Sequence, residues 1–322
     1  MRFSEFRNAV GGALVLYDPP IEPPNTVLLP ATNGVTITGN RFLEPNVVGI
    51  LIGRNGIFVE NFPTIPLPWT VCDVPASAPL ASTAEVPHNI TISNNIFTRS
   101  WTGALALNNS RQTTIQNNTF TDNYQRPYDV SGGSMNTTAC DYDTRILNNK
   151  FTAWGLNLPT VGPGARSTQA LELHGLKELV QGNEFNGYPN NVILARSVND
   201  LTIDGNFIVA NGRGVGNAES GIDIWNQGGL RITSKIRIQN NTISNPVPGF
   251  QALPYGVRFG EHRCDPPIAP LDCTITPSLS LIQDVAVTAN QFINFVVPYC
   301  TVSGVMGSSP AWSLQNGFLQ CP

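Results

Sequence analysis

The chain has 322 residues, only 12% of them charged, with a formal net charge of −4. That balance offers no basic footprint for nucleic acid, and no apolar run reaches the ~18 residues a membrane span needs. Glycine (29) and proline (26) are abundant, as in a turn-rich β-protein whose polarity comes from neutral groups.

At the N-terminus Arg2 and Arg7 precede the apolar stretch 9–17, but Glu5 interrupts the basic region and no small-x-small cleavage site follows. The run GALVLY at 12–17 instead matches GALALN at 103–108. The chain is therefore expected to start inside a repeating coil without the polar cap an end coil requires. Either further residues precede it or another chain covers that end, which would permit end-to-end self-association.

Further along, eight short alternating runs each end in an asparagine with Phe or Ile two residues later. These asparagines are Asn40, Asn95, Asn118, Asn149, Asn183, Asn206, Asn241 and Asn290, at spacings of 55, 23, 31, 34, 23, 35 and 49 residues. Three and five residues before each Asn, most copies carry aliphatics such as Ile37 and Val35, Ile92 and Ile90, or Ile203 and Leu201. The intervening residues are mostly polar, so the period is two and each copy is a half-buried strand. The Asn tolerates the left-handed conformation of a sharp corner. A floor of 23 residues, with longer values elsewhere, suggests one fixed coil decorated by loop insertions. Three short strands per coil make a parallel β-helix of about eight to ten coils, all-β, with residues 1–322 as one domain and 301–322 as a C-terminal tail. Stacking puts Phe42, Phe97, Phe120, Phe151 and Phe185 into an internal column, and the asparagines into an amide ladder.

These N-x-F coils resemble the pectin-lyase-like superfamily of right-handed parallel β-helices. The stretch from ALELHGLKELVQGNEF through SGIDIWN to IRIQNNTI is similar to secreted right-handed β-helix repeat proteins. The resemblance covers about residues 30 to 300 and implies the fold. Of the polygalacturonase-like motifs only His174-Gly175 is present, and the pectate-lyase pattern R-x-P-x-x-R is missing. Alginate- and chondroitin-cleaving lyases of similar fold use Lys and Arg beside acidic calcium ligands, and Lys177 and Arg196 lie in comparable coils.

Six cysteines point to disulfides and an oxidising, extracellular or cell-surface compartment. Cys264 and Cys273 flank a Pro-rich insertion, Cys300 and Cys321 would pin the tail, and a Cys72–Cys140 bridge is geometrically feasible. Sequons stand at Asn89, Asn108, Asn117, Asn136 and Asn240.

The strands following the Phe corner, aligned by a small or polar leader, are 103–108, 127–132, 170–175, 191–196, 221–226 and 256–261. Taking the first apolar residue as inward, one outward row reads Leu105, Asp129, Glu172, Ile193, Asp223 and Arg258. The next reads Leu107, Ser131, His174, Ala195, Trp225 and Gly260, with Arg196, Glu261 and His262 at strand ends. Coils are ~4.8 Å apart, so Glu172 and Asp223 would straddle Ile193 at about twice that spacing. A saccharide groove is expected, with Glu172, Asp223, Arg258 and His174 pointing to solvent as catalytic groups. Trp225, Arg196, Glu261 and His262 would hold substrate, Trp225 by stacking on a sugar ring. Carboxylates at this separation suit an inverting glycosidase. Alternatively, Asp129, Glu172 and Asp223 could hold calcium through oxygen ligands, with Arg258 or His174 serving in β-elimination.

Two functions follow. One is a secreted polysaccharide lyase or glycoside hydrolase acting on an extracellular glycan. The other is a non-catalytic structural, adhesion or filament-forming surface protein, for which a long stiff solenoid is suited.

Overall fold

The computed structural model describes residues 2–8, 14–18, 32–44, 50–54, 87–100, 103–108, 110–123, 133–137, 141–153, 169–188, 191–210, 220–226, 233–245, 255–261, 282–295, 297–301 and 312–314. Among them the chain forms three parallel nine-stranded sheets, each gaining one strand per turn. The result is a right-handed parallel β-helix; no described residue is helical, so none forms a membrane-crossing helix. One turn is shown by residues 169–196. Gln169–Leu173 belongs to the site sheet, Leu176–Gln181 to the second, Glu184–Tyr188 to the third, and Ile193–Arg196 returns to the first.

Alternation decides which side chains fill the interior. Ile37, Ile92, Ile115, Ile146, Val180 and Ile203 point into one continuous apolar core. Phe6, Phe42, Phe97, Phe120, Phe151 and Phe185 stack within it, with ring centroids 4.4–5.0 Å apart and planes within 14° of parallel. In-register parallel pairing requires this stacking, because Phe97, Phe120 and Phe151 are direct partners across neighbouring strands.

The corner ladder forms as expected. From Asn40 to Asn290 each Nδ2 donates to the Oδ1 of the next ladder asparagine at 2.9–3.0 Å. The same Oδ1 also accepts the preceding asparagine's backbone N–H, for example Asn118 N to Asn149 Oδ1 at 2.9 Å. These buried amides satisfy backbone groups that a sharp turn would otherwise orphan. The residue just before each ladder position has positive φ, either Asn (94, 117, 148, 240) or Gly (39, 182, 205), with Ala289 the exception. The run 14–17 lies in the site sheet, with Leu14 paired to Ile50 and Ile50 to Leu105, so its match to 103–108 is real.

Cys300 is buried in Val297–Thr301 and is disulfide-bonded. The other five cysteines, its partner among them, lie outside the described residues.

Candidate functional site

The site lies on the face of the first sheet that points away from the core. Its register runs Ala106, Asn136, Glu172, Leu194, Asp223, Arg258 and Cys300. Ala106 and Leu194 are buried yet take no part in the core cluster, whereas Leu105, Leu171, Ile193, Ile222 and Val257 do. The row therefore faces outward.

Glu172, Asp223 and Arg258 occupy one row, as expected, but the composition of this row and of the next differs from expectation. Asp129 lies outside the described residues, and Asn136 of Gly133–Asn136 takes its place. Leu194, not Ile193, separates the two carboxylates, and Arg196, not Ala195, faces Trp225. The cause is Asn191. It is not a strand leader but a corner residue, whose Oδ1 accepts the backbone N–H of Ser220 at 2.9 Å. The strand proper thus starts one residue later than a leader-based alignment places it. The first coil slips in the same sense, with Ala106 in the row instead of Leu105.

The expectation that these groups point freely into solvent is also corrected. Glu172 is 1% exposed, Asp223 0% and Arg258 9%. Each carboxylate instead meets cationic or ring nitrogens. Glu172 Oε1 lies 3.1 Å from His174 Nε2 and 3.4 Å from Arg196 Nη1. Arg258 Nε donates to Asp223 Oδ1 at 3.0 Å. Burial pushes the Asp223 carboxyl above the ordinary carboxylate range, while the charge and hydrogen bond of Arg258, the Trp225 indole and the Arg196 charge pull it back.

A second row, one step past the carboxylates, carries His174, Arg196, Trp225 and Gly260. The guanidiniums of Arg196 and Arg258 both lie over the Trp225 ring, 5.3 Å from its centroid. Cations on an indole face are attracted by its quadrupole. Trp225 is thus first a platform for arginine, where sugar stacking was expected. Gly260 lies beside its indole, where a Cβ would stand 3.5 Å from Trp225 Cδ1. Carboxylates form the floor of this site and guanidiniums, imidazole and indole its rim.

Glu261 ends the strand Tyr255–Glu261, but its side chain is not described, and His262 lies outside the described residues. Lys177 stands on the neighbouring sheet, bound to Asp143 at 3.1 Å, and does not join the site. Of the calcium donors expected, Asp129 lies outside the described residues. Glu172 and Asp223 are held apart by Leu194 and each faces a guanidinium. Among the described residues no three His, Cys, Asp or Glu side chains converge as a metal site.

Sequence reading also passed over a polar patch behind the site. Five residues before Asn118, Asn149 and Asn183 stand Thr113, Thr144 and Glu178, all buried, at positions where other coils carry aliphatics. That departure from the repeat was visible in the sequence.

A family model described as "Right handed beta helix region" matches residues 25–208. No curated protein matches the chain. The A-module of the Azotobacter vinelandii mannuronan C-5 epimerase AlgE6 is 11% identical with a TM-score of 0.43, over 99% of this chain and 81% of its own. DFA-IIIase from Arthrobacter chlorophenolicus A6, solved with DFA-III, is 13% identical with a TM-score of 0.33, over 94% and 88%. PfbA, a surface adhesin of Streptococcus pneumoniae, is 13% identical with a TM-score of 0.34, over 96% and 88%. At these values the likenesses assign no activity or ligand to the chain.

Proposed function

The chain belongs to the right-handed β-helix family, and on that premise we propose that it is an extracellular carbohydrate-active protein that hydrolyses glycosidic bonds with inversion. The observation carrying this reading is the Glu172–Leu194–Asp223 column, two carboxylates of different environment on one outward face. Two coil steps put their backbones ~9–10 Å apart, near the upper end of the roughly 6.5–9.5 Å between carboxyl groups in inverting enzymes. Asp223, whose carboxyl burial raises above the ordinary carboxylate range against the pull of Arg258, acts as general acid on the leaving oxygen. Glu172, beside His174 and Arg196, acts as general base on water. Two titratable groups with diverging environments are the usual mark of such an assignment. Hydrolysis is favoured over β-elimination because, of the two elimination bases expected, Arg258 is fixed on Asp223 and a guanidinium does not deprotonate in proteins, while His174 is engaged with Glu172 Oε1 at 3.1 Å.

A chain with few charged residues and a disulfide-bonded Cys300 suits an oxidising, extracellular setting. The burial of Glu172, Asp223 and Arg258 favours a second reading, a non-catalytic surface protein in which they form a buried ionic brace. Reducing-sugar release across a panel of neutral and acidic glycans, with the anomer of the first product assigned by NMR, separates the two. Inverted product lost in Asp223→Asn and Glu172→Gln supports hydrolysis. No release from any glycan supports the brace.

A further inference from the structure

We infer that Thr137 and Glu178 are positioning residues that hold the Glu172–His174 pair, an inference that rests on the acid/base reading above. Thr137 follows the strand Gly133–Asn136 on the coil before Glu172 and meets that segment twice. Its backbone N–H donates to the Glu172 carbonyl at 3.0 Å, and its Oγ1 accepts the His174 N–H at 2.9 Å. One residue therefore grips both ends of the three-residue stretch that presents carboxylate and imidazole.

The grip depends on Glu178. The Thr137 hydroxyl donates to Glu178 Oε1 at 2.7 Å. A hydroxyl has one proton, so committing it to Glu178 leaves a lone pair for His174 N–H. Thr137 and Glu178 are 1% and 2% exposed, which removes water as a competing partner. Glu178 occupies the inward column that continues as Leu201, Ile236 and Val285. A carboxylate there is unfavourable unless hydrogen-bonded, so packing alone does not call for it. The same Oε1 would stand 2.7 Å from a Cβ on Gly175, and the Asp141 carbonyl 3.1 Å. The chain leaving His174 can turn past Glu178 only as glycine. Core carboxylate, hydroxyl and backbone together keep His174 Nε2 within 3.1 Å of Glu172 Oε1.

The test uses the full chain labelled with 15N-histidine. In the unaltered protein the long-range 1H–15N spectrum should show His174 Nε2 hydrogen-bonded, and T137S should preserve that signature. T137V removes the acceptor and donor at nearly constant shape, and E178L replaces the brace by the aliphatic of the adjoining coil. Both should shift the His174 ring resonances toward those of an unanchored imidazole. Hydrolysis should fall by about 10-fold to 100-fold in kcat with KM little changed, as expected for small misplacement of a reacting group. Folded T137V and E178L with unchanged His174 resonances would overturn the inference. Should both fail to fold, amide exchange in the unaltered protein decides: slow exchange of His174 N–H supports the grip and open-loop exchange refutes it. If the resonances move as expected but no glycan is cleaved by the unaltered protein, the positioning stands and the hydrolase reading fails.

Discussion

Arg258 on one coil donates to Asp223 on the coil before it at 3.0 Å, and neither side chain is more than 11% exposed. A buried pair of this kind contributes little net stability, because desolvation offsets attraction, yet breaking it strands a charge. The pair is therefore sensitive to single changes and tolerant of paired ones.

Truncating the cation is the sharper perturbation. Arg258→Met should destabilise the protein by about 3–5 kcal/mol, whereas Arg258→Met with Asp223→Leu should recover most of that loss. Urea unfolding of the two singles and the double would check it, and additive losses would contradict the pairing.

The raised Asp223 carboxyl has a signed consequence for pH. Its folded pKa lies above its unfolded value, so its stabilising contribution is full below the unfolded value, about 4, and is lost as pH rises through the folded one. Asp223→Asn should flatten the fall in Tm across that window. An unchanged slope of Tm against pH would count against burial as the dominant influence. In the hydrolase reading the same variant loses turnover by roughly 10²–10⁴-fold, the usual contribution of a general acid.

The amide ladder predicts a local but large effect. Asn118→Ala removes the acceptor for both Asn95 N and Asn95 Nδ2, and the donor to Ile92 O. Each buried group left unsatisfied costs about 1–3 kcal/mol. Asn118→Asp keeps the acceptor but sets a buried carboxylate oxygen against Ile92 O and Asn149 Oδ1, so it should be no milder in thermal denaturation at neutral pH.

Phe120 sits between Phe97 and Phe151 with no exposed surface. Phe120→Ala should cost about 3–5 kcal/mol, and Phe120→Leu appreciably less. Differential scanning calorimetry on the pair measures this directly.

Cysteine pairing is open to direct count. Disulfides Cys264–Cys273, Cys300–Cys321 and Cys72–Cys140 are expected, each contributing a few kcal/mol. Peptide mapping without reduction identifies the partners, and six reactive thiols in the denatured, unreduced protein would end the proposal.

The solenoid, its Phe column, its Asn ladder and the presence of Glu172, Asp223 and Arg258 in one outward row are legible in the order of residues along the chain. A repeat stacked in register turns one-dimensional spacing into three-dimensional adjacency, so those relationships follow from period and phase alone. The tertiary structure decided the rest. Asn191 was legible as a polar leader, but only its hydrogen bond to Ser220 reveals it as a corner, and that one-residue difference exchanges Ile193 for Leu194 and Ala195 for Arg196. Whether an outward residue meets water also lies beyond periodicity, which says which side of a strand a residue occupies and nothing of what stands over it. Glu172 and Asp223 point outward and are buried all the same, which turns expected free carboxylates into partners of Arg196 and Arg258. Glu178 shows the converse. Its place in the inward column could be read from the repeat, but the hydroxyl of Thr137 that makes a core carboxylate tolerable comes from 41 residues away, a contact only the folded coils create.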